Sequence, residues 1–164
     1  MKEKIEIKDY FKIDDSHSNI RGFAVLKQDD GTVLFKKENM IVKKGREFIL
    51  KKLMGEEVLA EDGITPVTFS NGKIEFNNST EMTTPLDESL KGSELAPISI
   101  NFSSSNLSYT DLITTITVSI TGETKIISEL GIFLSDDSLF SRVVFEPVSV
   151  SSTTSYTLTY YIYF

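Results

Sequence analysis

Residues Lys125–Val148 read KIISELGIFLSDDSLFSRVVFEPV. Two apolar runs, Ile126–Leu134 and Leu139–Phe145, flank the polar tetrad Ser135-Asp136-Asp137-Ser138, and Pro147 closes the second run. Aspartate tolerates the left-handed backbone of tight turns, and its carboxylate bonds nearby amides. The tetrad therefore predicts a hairpin turn, with Asp136 and Asp137 as turn residues rather than paired catalytic acids. A chain that repeats this strand–turn–strand pattern along most of its length is mainly β.

The same pattern extends in both directions. Around ITTITVSITG, Leu112, Thr114, Ile116, Val118 and Ile120 fall on one face and Thr115, Thr117 and Ser119 on the other, the period of a half-buried strand. The segment SYTLTYYIYF sends Tyr156, Leu158, Tyr160, Ile162 and Phe164 one way and Thr157, Thr159, Tyr161 and Tyr163 the other. FAVLKQDDGTVLFK predicts another hairpin, turned by Asp29-Asp30-Gly31, because glycine favours the positive φ of such turns. Further strands are expected near Ile5–Ile13, Lys73–Phe76 and Ala96–Ser103.

KKGREFILKKLMGEE departs from this period. Phe48, Ile49, Leu53 and Met54 lie on a helical stripe, Glu47 and Lys51 have a supporting i,i+4 order, and Gly55 is a suitable stop. One helix, Gly45–Met54, packed on a sheet, is expected. From Gly55 to Glu94 the chain is rich in Gly, Asn, Ser, Thr and Pro and reads as long loops around a short strand. The whole chain, 1–164, is expected to be one domain: N-terminal strands at 1–38, then 39–164.

Composition narrows the function classes. The chain has 164 residues, a net charge of −7 and no cysteine, which removes disulfides and thiolate metal sites. The acidic balance argues against a nucleic-acid partner, whose phosphates need a basic footprint. No run approaches the ~18 apolar residues of a membrane-spanning helix. The single histidine, His17, sits in the polar stretch DDSHSN, so any histidine base would rest on a loop residue beside Asp14 and Asp15. The acid pairs Asp14-Asp15, Asp29-Asp30 and Asp136-Asp137 lack calcium-loop spacing, and phosphate-binding glycine loops are absent. Lys43, Lys44, Arg46, Lys51 and Lys52 form a basic cluster that reads as the solvated helix face. No catalytic, cofactor-binding or metal-binding residue is assigned, and an enzyme is not expected. Tyrosine is enriched at protein interfaces, which makes Tyr161 and Tyr163 candidate assembly anchors; a strand covered on both faces is the competing reading.

Taken in order, several quoted residues carry a resemblance: Val42, Gly45 and Ile49; Thr84, Leu86 or Leu90, and Glu94; then Ile127, Glu129, Gly131, Phe133, Asp136, Asp137, Leu139 and Pro147. The chain resembles the N-terminal attachment module of bacteriophage tail-collar fibre proteins and related small phage structural proteins. It departs from them after the helix, where TFSNGKIEFNNST stands in place of a glycine-rich segment. Within the hairpin, Gly131 is expected at a bulge or a close backbone approach, and Glu129 to be hydrogen-bonded to a turn or to Arg142.

The expected fold is an antiparallel β-sandwich, jelly-roll-like, with one packed α-helix. The resemblance implies a non-enzymatic virion protein, made in the bacterial host cytoplasm, that docks as a tail or baseplate fibre-attachment or adaptor module. A capsid decoration protein on the outer shell is the alternative. A carbohydrate-binding receptor module fits the fold but lacks a matched carboxylate and aromatic constellation. Implied partners are other virion proteins, of the tail or baseplate or the major capsid protein, and further copies of the chain in the particle. Neither nucleic acid nor membrane is expected as a partner.

Overall fold

The computed structural model describes residues 20–92, 97–110, 113–120 and 124–163. The expected strand Ile5–Ile13, together with Asp14, Asp15, His17, Glu94, Ala96, Leu112 and Phe164, lies outside the described residues. The elements run β1 (Arg21–Gln28), β2 (Val33–Ile41), α1 (Lys43–Leu53), β3 (Lys73–Asn77), β4 (Ile98–Asn101), a 3-10 turn (Ser104–Asn106), β5 (Leu107–Thr110), β6 (Ile113–Ile120), β7 (Lys125–Phe133), β8 (Leu139–Val150) and β9 (Tyr156–Tyr163).

Both predicted hairpins form, each for its stated reason. Gly31 closes the β1–β2 turn with φ 87°, and Asp30 takes the Thr32 amide at 2.8 Å. Asp137 occupies the left-handed position of the β7–β8 turn with φ 65°, while Asp136 takes the Ser138 amide at 3.0 Å. The β8 strand corrects one reading: it runs through Pro147 to Val150 instead of ending there. Pairing with β7 breaks between Ile127 and Glu129, opposite the residues around Pro147, so no ladder bond is lost to the missing N–H.

All strand pairings are antiparallel, and they join into one nine-stranded sheet of order β4-β3-β7-β8-β2-β1-β9-β6-β5. Its two edges, β4 and β5, are consecutive in the chain and joined only by Phe102–Asn106. Laid flat, nine strands would hold those edges about 38 Å apart. The connection spans about 20 Å at full stretch, so the sheet must curl. The result is a half-barrel, a continuous curled sheet where two separate sandwich sheets were expected.

The turning point is β2, which pairs along its length with β1 but joins the β8 ladder only at Met40 and Ile41. Beyond that point the two halves face each other across a single core. Ala24, Leu26, Ile116, Leu158, Tyr160 and Ile162 come from one half and Ile74, Phe76, Leu130, Ile132 and Val143 from the other. Phe35 stacks on Phe145 with centroids 3.8 Å apart across this junction. Gly22 leaves the room that the buried Tyr160 ring occupies; a Cβ there would collide with the phenol.

The helix lies across β8 and starts two residues before the expected Gly45. Its end is a Schellman motif: the Glu56 amide reaches the Lys51 carbonyl at 2.9 Å, the Gly55 amide reaches Lys52 at 3.1 Å, and Gly55 has φ 77°. Gly45 is the close-contact residue, since any Cβ would run into the Phe140 backbone carbonyl. Only Gly45, Phe48 and Ile49 of the helix are buried. Leu53 and Met54, expected on the packed stripe, are 73% and 72% exposed.

Candidate functional site

Arg142 sits in the first third of β8 and is wholly buried, an arrangement tolerable only if the guanidinium is paired and its donors are satisfied. Its Nε donates to Glu129 Oε1 at 2.6 Å, and Nη1 donates to Asp87 Oδ2 at 2.8 Å and the Met82 carbonyl at 3.3 Å. Nη2 donates to the Glu81 carbonyl at 2.9 Å. Glu129, equally buried on β7, also takes the backbone amides of Lys91 at 2.7 Å and Gly92 at 2.9 Å. Of the turn or Arg142 expected as its partner, Glu129 holds Arg142, together with two amides of an extended loop.

The strap 78–92 is thereby laid over the outer face of β7 and β8. Asp87 is oriented by Thr84, whose amide donates at 3.0 Å and whose hydroxyl donates at 2.9 Å. Burial works to raise the Asp87 pKa, but the Thr84 amide, the Arg142 guanidinium and the Thr84 hydroxyl outweigh it and hold the carboxyl below the ordinary carboxylate value. Farther along, the Pro85 carbonyl accepts the Lys43 amide at 2.8 Å, so the strap supplies the cap that α1 lacks from its own side chains. Leu90 fills the space above Gly131 and joins Val42, Phe133 and Leu139 in a small apolar cluster.

Gly131 itself corrects an expectation. It pairs regularly with Glu75 and Arg142, and the register shifts fall on either side of it. What demands glycine is the Leu90 side chain, whose Cδ2 would lie 2.5 Å from an added Cβ. Asp137 has a further partner in Lys73 at 2.9 Å, and Lys73 also reaches Glu75 at 3.0 Å. Asp136 and Asp137 therefore serve the turn and its anchoring.

Chemically, this centre holds structure. Each carboxylate is occupied by fixed donors, Arg142 and Glu129 are wholly buried, and the nearby cavity of about 400 Å³ is lined by Asp87 but not by Arg142 or Glu129. Among the described residues no three or more Asp, Glu or His side chains are placed to hold a metal ion. Glu129, Thr84 and Arg142 stand out in the sequence; Asp87 does not. Its signal was the Thr84-Pro85-Leu86-Asp87 spacing, in which an acid three residues after a threonine reaches back to the threonine amide.

Tyr161 and Tyr163 lie elsewhere, on the face of β9 opposite Tyr160 and Ile162. Both are half-buried, with ring centroids 6.3 Å apart. Across the register Tyr161 lies between Phe23 and Thr115, and Tyr163 between Arg21 and Ile113, so β1, β9 and β6 present one aromatic strip. Lys36 sits 5.4 Å over the Phe23 ring, and Arg21 pairs with Glu38 at 2.8 Å beside it.

The basic helix is only partly the solvated face expected of it. Arg46 donates to the Ile41 carbonyl at 2.9 Å, and Glu47 pairs with Lys43 at 3.9 Å instead of Lys51. Beside α1 an apolar groove of about 300 Å³ opens between the helix and the β6–β9 ladder, lined by Phe48, Ile49, Lys52, Leu53, Phe69, Thr114, Phe140 and Ile162. Among the described residues no helix is long and apolar enough to cross a membrane. Comparison of the chain with protein-family models, curated proteins and solved structures gives no match.

Proposed function

We propose that this chain is a non-enzymatic structural protein of a bacteriophage virion that docks on other virion proteins as a tail or baseplate attachment module. The observation that carries the reading is spatial. Residues that bear the resemblance, though scattered from Val42 to Leu139, meet around one place. Val42, Phe133 and Leu139 form one cluster, Gly45 lies against the Phe140 carbonyl, Glu129 accepts directly from Arg142, and Thr84 holds the second acid of Arg142, Asp87. Part of the set chosen by resemblance meets there, which supports a shared structural unit, the strap-on-sheet arrangement; Ile49 and Ile127 belong to the main core, Leu86 is exposed, and Asp136 and Asp137 serve the turn.

The mode of action is recognition by surface. The buried charges fix the strap, which leaves the aromatic strip, the sheet edges β4 and β5 and the helix for contact with partners. Sheet edges and tyrosine-bearing faces are the usual means of such docking.

Purified particles test this directly. Mass spectrometry of separated heads and tails should find the chain in the tail fraction, and a Tyr161→Ser, Tyr163→Ser double variant should fold but fail to incorporate. Recovery in heads alone would transfer the role to capsid decoration. A chain absent from both fractions removes the virion reading. Each tyrosine is half-buried in cross-strand pairs worth about 0.2–1 kcal/mol, so the double variant should keep its fold.

A further inference from the structure

The structure holds two complementary surfaces of opposite charge, adjacent in the chain. Helix α1 carries Lys43, Lys44, Arg46, Lys51 and Lys52 against Glu47, a surplus of +4 in a chain of net charge −7, so the remaining residues carry −11. The hairpin immediately after it, EEVLAEDGITP at 56–66, carries Glu56, Glu57, Glu61 and Asp62 and no base, a matching −4. Among the described residues none of these four acids forms an ion pair with a base of α1.

Each surface also has an apolar partner in the other. Ile64 at the hairpin tip is 80% exposed. The tip is rigid: the Ala60 amide reaches Thr65 at 2.8 Å, the Val67 amide reaches Val58 at 2.7 Å, and Asp62 takes the amides of Ile64 at 2.9 Å and Thr65 at 2.8 Å. Holding an exposed isoleucine in one place lowers the ordering cost of inserting it into a partner. Beside α1 lies the apolar groove of about 300 Å³, floored by Phe48, Ile49, Phe140 and Ile162, with Leu53 and Lys52 at its rim.

Resting on the premise that this chain assembles, we infer that two copies associate reciprocally, the acidic 56–66 hairpin of each seating Ile64 in the groove beside α1 of the other. Each copy carries both surfaces, separated in the chain only by Gly55, so a reciprocal pairing of two copies is related by a two-fold axis. That is an isologous contact, in which one patch is its own complement. The occupant is a second copy because this chain itself supplies the matching charge and the exposed apolar tip.

Sedimentation velocity of the full chain at low ionic strength tests the contact. The wild type should dimerise with rising concentration and dissociate as salt shortens the screening length to about 10 Å at 0.1 M. Ile64→Asp should weaken dimerisation at least about tenfold with an unchanged melting temperature, the side chain being exposed. Lys51→Glu/Lys52→Glu and Glu57→Lys/Glu61→Lys should each be monomeric alone and form a 1:1 dimer when mixed, since the swapped charges complement only each other. A wild type still monomeric at about 1 mM, the weak end of measurable affinity, overturns the inference. So does a dimer indifferent to Ile64→Asp, or a charge-swapped mixture that stays monomeric. A monomeric wild type found in purified tails removes the self-contact and leaves the virion role standing; a dimer missing from particles does the reverse.

Discussion

Arg142→Met is the most informative single change, because it leaves the shape of the centre and removes its charge. The variant loses the bonds to Glu129 at 2.6 Å, Asp87 at 2.8 Å and the two strap carbonyls at 2.9 and 3.3 Å. Breaking a buried ion pair from one side costs about 3–5 kcal/mol. Glu129 keeps the amides of Lys91 and Gly92, and Asp87 keeps both Thr84 donors, so neither carboxylate is abandoned. The low end, about 3 kcal/mol, is therefore expected, which for a domain of this size lowers Tm by about 6–12 °C. Thermal melts by circular dichroism measure the global loss. Hydrogen exchange at Lys91, Gly92 and Thr84 shows whether the strap opens ahead of the sheet. A Tm within about 2 °C of wild type, with unchanged protection at Lys91 and Gly92, would refute the assignment of this centre as the strap's anchor.

Three further outcomes follow from the same geometry. Asp87 has a lower pKa folded than unfolded, so the unfolded chain binds the proton first and stability rises with pH through that range. Its contribution should be present above about pH 4 and lost as pH falls through the folded value, and acid melts of Asp87→Asn should lack that part of the slope. Gly45→Ala should destabilise by about 1–3 kcal/mol in urea melts despite its helix propensity, because the obstacle is a backbone carbonyl that cannot move. Gly131→Ala should cost less, within about 1 kcal/mol, since the obstacle is the end of the Leu90 side chain, and its mark should be faster exchange in the strap.

Local chemistry was legible in the sequence wherever neighbours in the chain decide the outcome. Period-two alternation placed β6 and β9, the Asp-Asp-Gly and Asp-Asp turns closed the hairpins, and Gly55 stopped the helix, because each is settled within a few residues, whereas the short edge strand β5 was not foreseen. Glu129 was legible as an anomaly, a charge in a buried run that had to find a partner. Tertiary structure decided what depends on distant segments. Whether strands form two sheets or one curled sheet turns on β2 bridging β1 and β8, and on the short Phe102–Asn106 link between opposite edges. No local period encodes either. Leu53 and Met54 fit the helical stripe, yet of the helix only Gly45, Phe48 and Ile49 are buried, so the last turn stays exposed. Asp87 reads in the sequence as one more loop acid, and only Arg142, 55 residues away, supplies the buried cation it pairs with.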